Sequence, residues 1–344
     1  MSTRGKIVSK TNFFFKWWAS SILLVVFISA CGPNSNPILQ VKLPPCRLEG
    51  VNVYENAINP SVLEIYEYSA LSEDTTNATP IPEDVKNQSY LGARYAALRW
   101  LESETRKWTS SQQIILNDTG TSYAQVMVTF LSPDLVQAIY LNDILRRKTP
   151  VDSIQTDVSN VLKKFGEREE MVFFVSVTSV MPDWQMEPPH SLNINANQMN
   201  MINTEGMSIS PVHTDYNLNQ FMNLPSSTFG YMYYPFSVRS DGMCVQVLEP
   251  AHNTKINIQA SNIVVDKVGG GSMAWSLNYA SLLHIGTPVS TPNYATPEGS
   301  AFSPLTGEPV DLTIPQTLPQ PSNDQNFMRE YAKFLWSQVV PPNQ

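Results

Sequence analysis

The sequence predicts an α+β protein: a mostly helical N-terminal region followed by an antiparallel β-sandwich, with an immunoglobulin-like arrangement as one candidate. Three observations predict it. Between residues 90 and 166 the apolar residues recur at spacings of three, four and seven, the helical period. After Gly166 the period falls to two. Turn residues then punctuate the chain at short intervals, as in Asn203-Thr-Glu-Gly206 and Ser240-Asp-Gly242, which is the pattern of short antiparallel strands.

The elements follow in order. Leu91, Tyr95, Leu98, Leu101 and Trp108, with Arg94, Arg99, Arg106 and Lys107 among them, make an amphipathic helix of about five turns. Residues Tyr123–Phe130 are β-branched and aromatic, hence a strand. Ser132-Pro133-Asp134 gives a capping hydroxyl, a first-turn proline and an acid at the positive end of the dipole. Leu135, Ile139 and Ile144 continue that helix. Thr149-Pro150-Val-Asp152 repeats the start signal, and Ile154, Val158, Val161 and Phe165 lead to Gly166 as a stop. The run MVFFVSVTSV, 171–180, is the strongest strand, with Val172 and Phe174 on one face and Phe173, Val175 and Val177 on the other. Further strands are expected at 192–202, 207–210, 228–238, 243–248, 255–265 and 273–283. The Cys…Trp…Cys signature of antibody domains is absent, so the sandwich is assigned to no family. No repeat of 20–50 residues occurs, which disfavours a solenoid or propeller.

The first thirty residues carry the most specific signal. Arg4, Lys6, Lys10 and Lys16 precede an uncharged run of 14 residues, Trp17–Ala30, and no acid occurs before Cys31. A membrane-spanning helix needs about 20 apolar residues, so the run is short for a span and fits an export signal instead. Ile28-Ser29-Ala30-Cys31 resembles the lipobox of bacterial lipoproteins. That resemblance covers only this segment. It implies cleavage before Cys31, a diacylglycerol on its thiol, and a lipid-anchored protein on the extracytoplasmic face of the cell membrane or outer membrane. An uncleaved signal anchor is the competing reading.

The expected organisation is therefore a signal peptide at 1–30, a lipid-attached tether and irregular segment at 31–89, and a helical region at 90–166. The β-sandwich follows at 171–283, and a Pro/Thr-rich tail ending in an amphipathic helix occupies 284–344. Removing 1–30 takes four of the 22 basic residues and none of the 30 acidic ones, leaving a formal balance of −12. A chain so acidic is a poor electrostatic match for nucleic acid or anionic headgroups. The expected partners are the membrane, through the lipid, and a protein or a glycan. Cys46 and Cys244 remain as an even pair for an oxidising compartment. A bond between them needs Cα atoms within about 7 Å; a reduced Cys244 packed in its apolar strand is the alternative.

Catalytic signals are sparse. His213-Thr-Asp215 and Glu249-Pro-Ala-His252 bring nitrogen and carboxylate groups together in turns, so His213, Asp215 and His252 are weak candidates for a zinc or calcium site or an assembled catalytic site. No HExxH, paired CxxC or DxDxDG motif supports them, and locally hydrogen-bonded histidines are the plainer reading. Gly269-Gly-Gly-Ser272 lacks the Gly-Lys-Ser/Thr of a phosphate loop and reads as a flexible turn; Ser272 fails the nucleophile-elbow pattern because Ala274 replaces its last glycine. Glu167, Glu169 and Glu170 read as a solvated acidic turn. No cofactor is implied. The strand Phe229-Gly-Tyr-Met-Tyr-Tyr-Pro-Phe236 sets Phe229, Tyr231 and Tyr233 on one face and Met232, Tyr234 and Phe236 on the other. One set is a candidate platform for sugars or a protein partner, but packing of both sets, one in the core and one under a helix, is favoured. A non-enzymatic surface lipoprotein is the leading expectation; an extracytoplasmic enzyme or carbohydrate-binding protein is the alternative.

Overall fold

The computed structural model describes residues 43–55, 58–62, 64–65, 83–115, 122–147, 151–180, 190–203, 205–248, 255–278, 314–322 and 326–339. Helix α1 spans Glu83–Trp108 and leads directly into strand β1, Thr109–Ile115. Strand β2 is Ser122–Phe130, followed by α2, Pro133–Arg147, and α3, Val151–Gly166. The Ser132 hydroxyl accepts the Leu135 N–H at 3.2 Å, the capping bond that starts α2. At the other end of α3 the Asn52 amide donates to the Gly166 carbonyl at 2.8 Å. A Cβ on Gly166 would lie 2.9 Å from that same amide nitrogen, so this close approach requires glycine.

Strand β3, Glu170–Ser179, anchors a five-stranded antiparallel sheet in the order β1-β2-β3-β9-β7, where β7 is His213–Thr214 and β9 is Ser227–Pro235. The helical and strand-rich stretches are thus not separate folding units. Strand β2 pairs with β3 from Ala124↔Ser179 to Phe130↔Phe173, across the boundary expected near residue 170. Residues 42–344 form one unit. Two further departures fall upstream. Helix α1 begins at Glu83, inside the stretch expected to be irregular, and β1 was not foreseen because TSSQQII has no apolar alternation.

The second sheet is built on β12, Lys255–Val265. It runs β6-β5-β12-β4-β8, with β4 Ser191–Asn193, β5 Met199–Ile202, β6 Ser208–Ile209 and β8 Met222–Asn223; β13, Val268–Asn278, lies on the other side of β12. The glycine run expected to form a turn lies inside β13. Its actual turn is Asp266-Lys267, with φ of 50° and 67°, the left-handed pair of a two-residue hairpin. Gly271 instead sits opposite Ile263, where an added Cβ would meet the Ile263 side chain at 3.5 Å. A short ribbon pairs β10, Ser237–Ser240, with β11, Met243–Gln246, through Asp241-Gly242, both at positive φ.

Both faces of β3 are covered, and register tells which residues share each. Phe173, Val175 and Val177 lie with Phe130 and Tyr234 toward the second sheet. There the Tyr234 hydroxyl donates to the Met199 carbonyl at 2.7 Å, and the Trp275 indole to the Val126 carbonyl at 3.0 Å. The opposite face carries Val172 and Phe174 beside Phe229, Tyr231 and Tyr233. Helix α4, Phe327–Val339, crosses that face. Tyr331 meets Thr129 at 3.0 Å, Phe334 packs against Phe174 and Phe229, and the Tyr231 hydroxyl reaches the Gln338 carbonyl at 3.2 Å. Neither set of the MVFFVSVTSV alternation is left outside.

Candidate functional site

Cys31 and His252 lie outside the described residues. Cys46 and Cys244 are bonded to each other, with Cα atoms 6.0 Å apart. The strap around them runs beside β10: Pro45 bridges Val238, the Cys46 N–H donates to the Ser237 carbonyl, and the Arg239 N–H to the Pro44 carbonyl.

His213 and Asp215 are near neighbours on the sheet edge but face different tasks. His213 stacks on Tyr233, with ring centres 3.9 Å apart. The Asp215 carboxylate accepts the Tyr231 N–H at 2.9 Å, which fastens the loop to β9 beside Gly230. Among the described residues no group of three His, Cys, Asp or Glu could hold a metal ion. The acidic turn is partly engaged: Glu169 pairs with Arg47 at 2.8 Å, and Glu170 opens β3, where burial raises its carboxyl pKa against the attraction of His213 and Arg168. The aromatic strand is consumed by packing, since Phe229 and Tyr231 lie under α4 and Tyr234 is enclosed. Tyr233 has Arg168 over its ring at 5.1 Å.

Helix α4 covers the middle of its sheet face and leaves a space at each end. The one at its C-terminal end is a cleft of about 200 Å³, lined by Phe165, Val172, Tyr231, Tyr233 and Val339 with Lys164 and Arg168 beside them. The other, at its N-terminal end, is about 600 Å³, within the range of small-molecule sites. Its base is the β1–β2 surface: Thr109, Ser111 and Gln113 from β1, Gln125 and Met127 from β2. Pro321, Phe327 and Met328 form a wall.

Strand pairing explains why so polar a base assembles. Gln113, Gln125 and Thr178 form one cross-strand row, and Ser111, Met127 and Ser176 the next, because directly paired residues in antiparallel strands share a face. The Gln125 amide bonds the Ser111 hydroxyl. Deeper under α4, Thr109 bonds Thr129 at 2.8 Å, and Thr129 bonds Tyr331. Burial pushes the Tyr331 phenol pKa up, against the hydroxyls of Ser176 and Thr129 beside it. Thr178 is fully buried, and among the described residues its hydroxyl has no hydrogen-bond partner. Arg106, the cation at the cleft, is held by Glu102 at 3.0 Å. None of these positions forms a sequence motif. The polar residues of β1 and β2 share a face only through strand register, which no local pattern signals.

Compared with protein-family models, curated proteins and solved structures, the chain matches none.

Proposed function

We propose that this chain is a lipid-anchored lipoprotein on the extracytoplasmic face of a bacterial membrane, and that its folded part acts by binding. The observation that carries the reading is Ile28-Ser29-Ala30-Cys31 after a basic start and a short apolar run. The remaining two cysteines, joined to each other, support it, because such bonds persist in oxidising compartments. Among the described residues no helix is long and apolar enough to cross a membrane. On this reading Cys31 is the mature N-terminus, and 32–50 is a tether that ends where the disulfide fastens it. The finer architecture belongs to the same proposal: an open β-sandwich of the two sheets with a helical layer on one outer face. The hydrogen bonds of Tyr234 and Trp275 from sheet to sheet support it.

The binding role is preferred over catalysis because no established catalytic motif is present, and because the Asp215 carboxylate offered for an assembled site is engaged by the Tyr231 main chain. Growing cells with a fatty-acid analogue tests the anchor. The protein should take up label, and Cys31→Ser should abolish uptake and release the protein from membranes or trap its precursor. Label retained by that variant would overturn the anchor.

A further inference from the structure

Resting on the reading of the folded part as a binding module, we infer that the cleft between β1–β2 and the start of α4 is a binding site for a neutral oligosaccharide. The argument begins with the chemistry of its base. Ser111, Gln113 and Gln125 are hydroxyl and amide groups, and each both donates and accepts hydrogen bonds. A sugar hydroxyl does the same, so a sugar can exchange hydrogen bonds with all three residue types. Among the described residues that line the cleft the cation is Arg106, which is held by Glu102, so an acidic ligand is the poorer match. Among the described residues the base carries no carboxylate for a basic ligand.

A peptide is the weaker match. Peptides that dock on sheets do so by adding main-chain hydrogen bonds along an edge. This cleft opens on the face of the sheet, where only side chains are presented. Phe327 and Met328 supply an apolar wall for the C–H face of a pyranose ring. The volume, about 600 Å³, suits a small ligand or one end of a longer chain.

The test uses the full chain in detergent on an array of neutral hexose and N-acetylhexosamine oligomers, with sulfated and sialylated glycans and a peptide set alongside. We expect retention on at least one neutral oligomer. The double substitution Gln113→Ala and Gln125→Ala should weaken it at least tenfold. Ser111→Lys, at an exposed position on an edge strand, should do the same with the melting temperature unchanged. Failure to bind any neutral oligomer overturns the inference, as does binding that both variants retain. Preference for a charged glycan or a peptide over every neutral oligomer also overturns it. Fatty-acid labelling is read separately: loss of the label with sugar binding intact removes the anchor and leaves this site standing.

Discussion

Glu104 shows how burial turns one side chain into a pH-dependent contribution. Its carboxylate accepts the Trp108 indole N–H at 2.9 Å inside the helical layer, with Lys107 at 3.3 Å. Loss of water raises its pKa above 4.5, and neighbouring Asp134 adds to the rise, against Lys107 and the Trp108 bond. A raised acid favours the folded state when protonated, so its stabilisation is complete at low pH and is lost as pH climbs through the folded pKa. Glu104→Gln keeps an acceptor for Trp108 without the buried charge. Its urea midpoint should exceed that of the unsubstituted protein at pH 7.5, and the difference should vanish near pH 4. A difference independent of pH would refute the account. Gly230 is constrained by space alone: a Cβ there would lie 2.9 Å from the Asp215 Cβ and 3.1 Å from Leu218. Because Asp215 is fastened to the Tyr231 N–H, it does not swing away. Gly230→Ala should therefore cost about 1–3 kcal/mol by overpacking, measured by urea denaturation, and a neutral result would mean the loop yields.

Among the elements, α4 decides what the first sheet exposes. Phe334 packs against both Phe174 and Phe229, with ring centres 6.4 and 5.4 Å away. Phe334→Ala should destabilise by about 3–5 kcal/mol; a loss below about 1 kcal/mol in chemical denaturation would mean that the helix is not a structural cover. The helix itself was legible, because Phe327, Tyr331, Phe334 and Leu335 recur at helical spacing. So were β3 and β12, whose β-branched and aromatic runs leave few alternatives. Strand β1 was not legible. Its Ser and Gln residues carry no strand preference, and pairing with β2 is what holds it extended. The glycines of β13 misled for a related reason: in sequence they look like a turn, while Asp266-Lys267 supplies the left-handed pair that the hairpin requires. The polar cleft depends on the first of these, since an uncharged row such as Gln113–Gln125–Thr178 exists only once the register of β1, β2 and β3 is known.

At the scale of the whole molecule, a disulfide closes a long loop that takes in the whole first sheet. The bonded cysteines are 198 positions apart, and their loop contains every strand of the first sheet, the short strands β4, β5, β6 and β8 of the second, and α1 to α3, while β12, β13 and α4 lie beyond it. Sequence could propose this pair by elimination but could not weigh it against a reduced, buried Cys244, because that choice turns on a Cα separation. In the chain-entropy account so long a loop is worth roughly 5 kcal/mol, and native disulfides typically give about 2–4 kcal/mol. The other ties of the strap are unequal. Arg47–Glu169 is exposed and contributes little, whereas the Tyr54 hydroxyl donates to the Leu131 carbonyl at 2.6 Å in the core. Reduction should therefore loosen residues 43–50 first and leave Tyr54 in place. Replacing both Cys46 and Cys244 by Ser should lower the urea-derived stability by about 2–4 kcal/mol and make Arg47 a trypsin site while the sheets still resist. Cleavage at Arg47 at equal rates in oxidised protein and in the double variant would show that the bond does not hold the strap, whatever its effect on the unfolded chain.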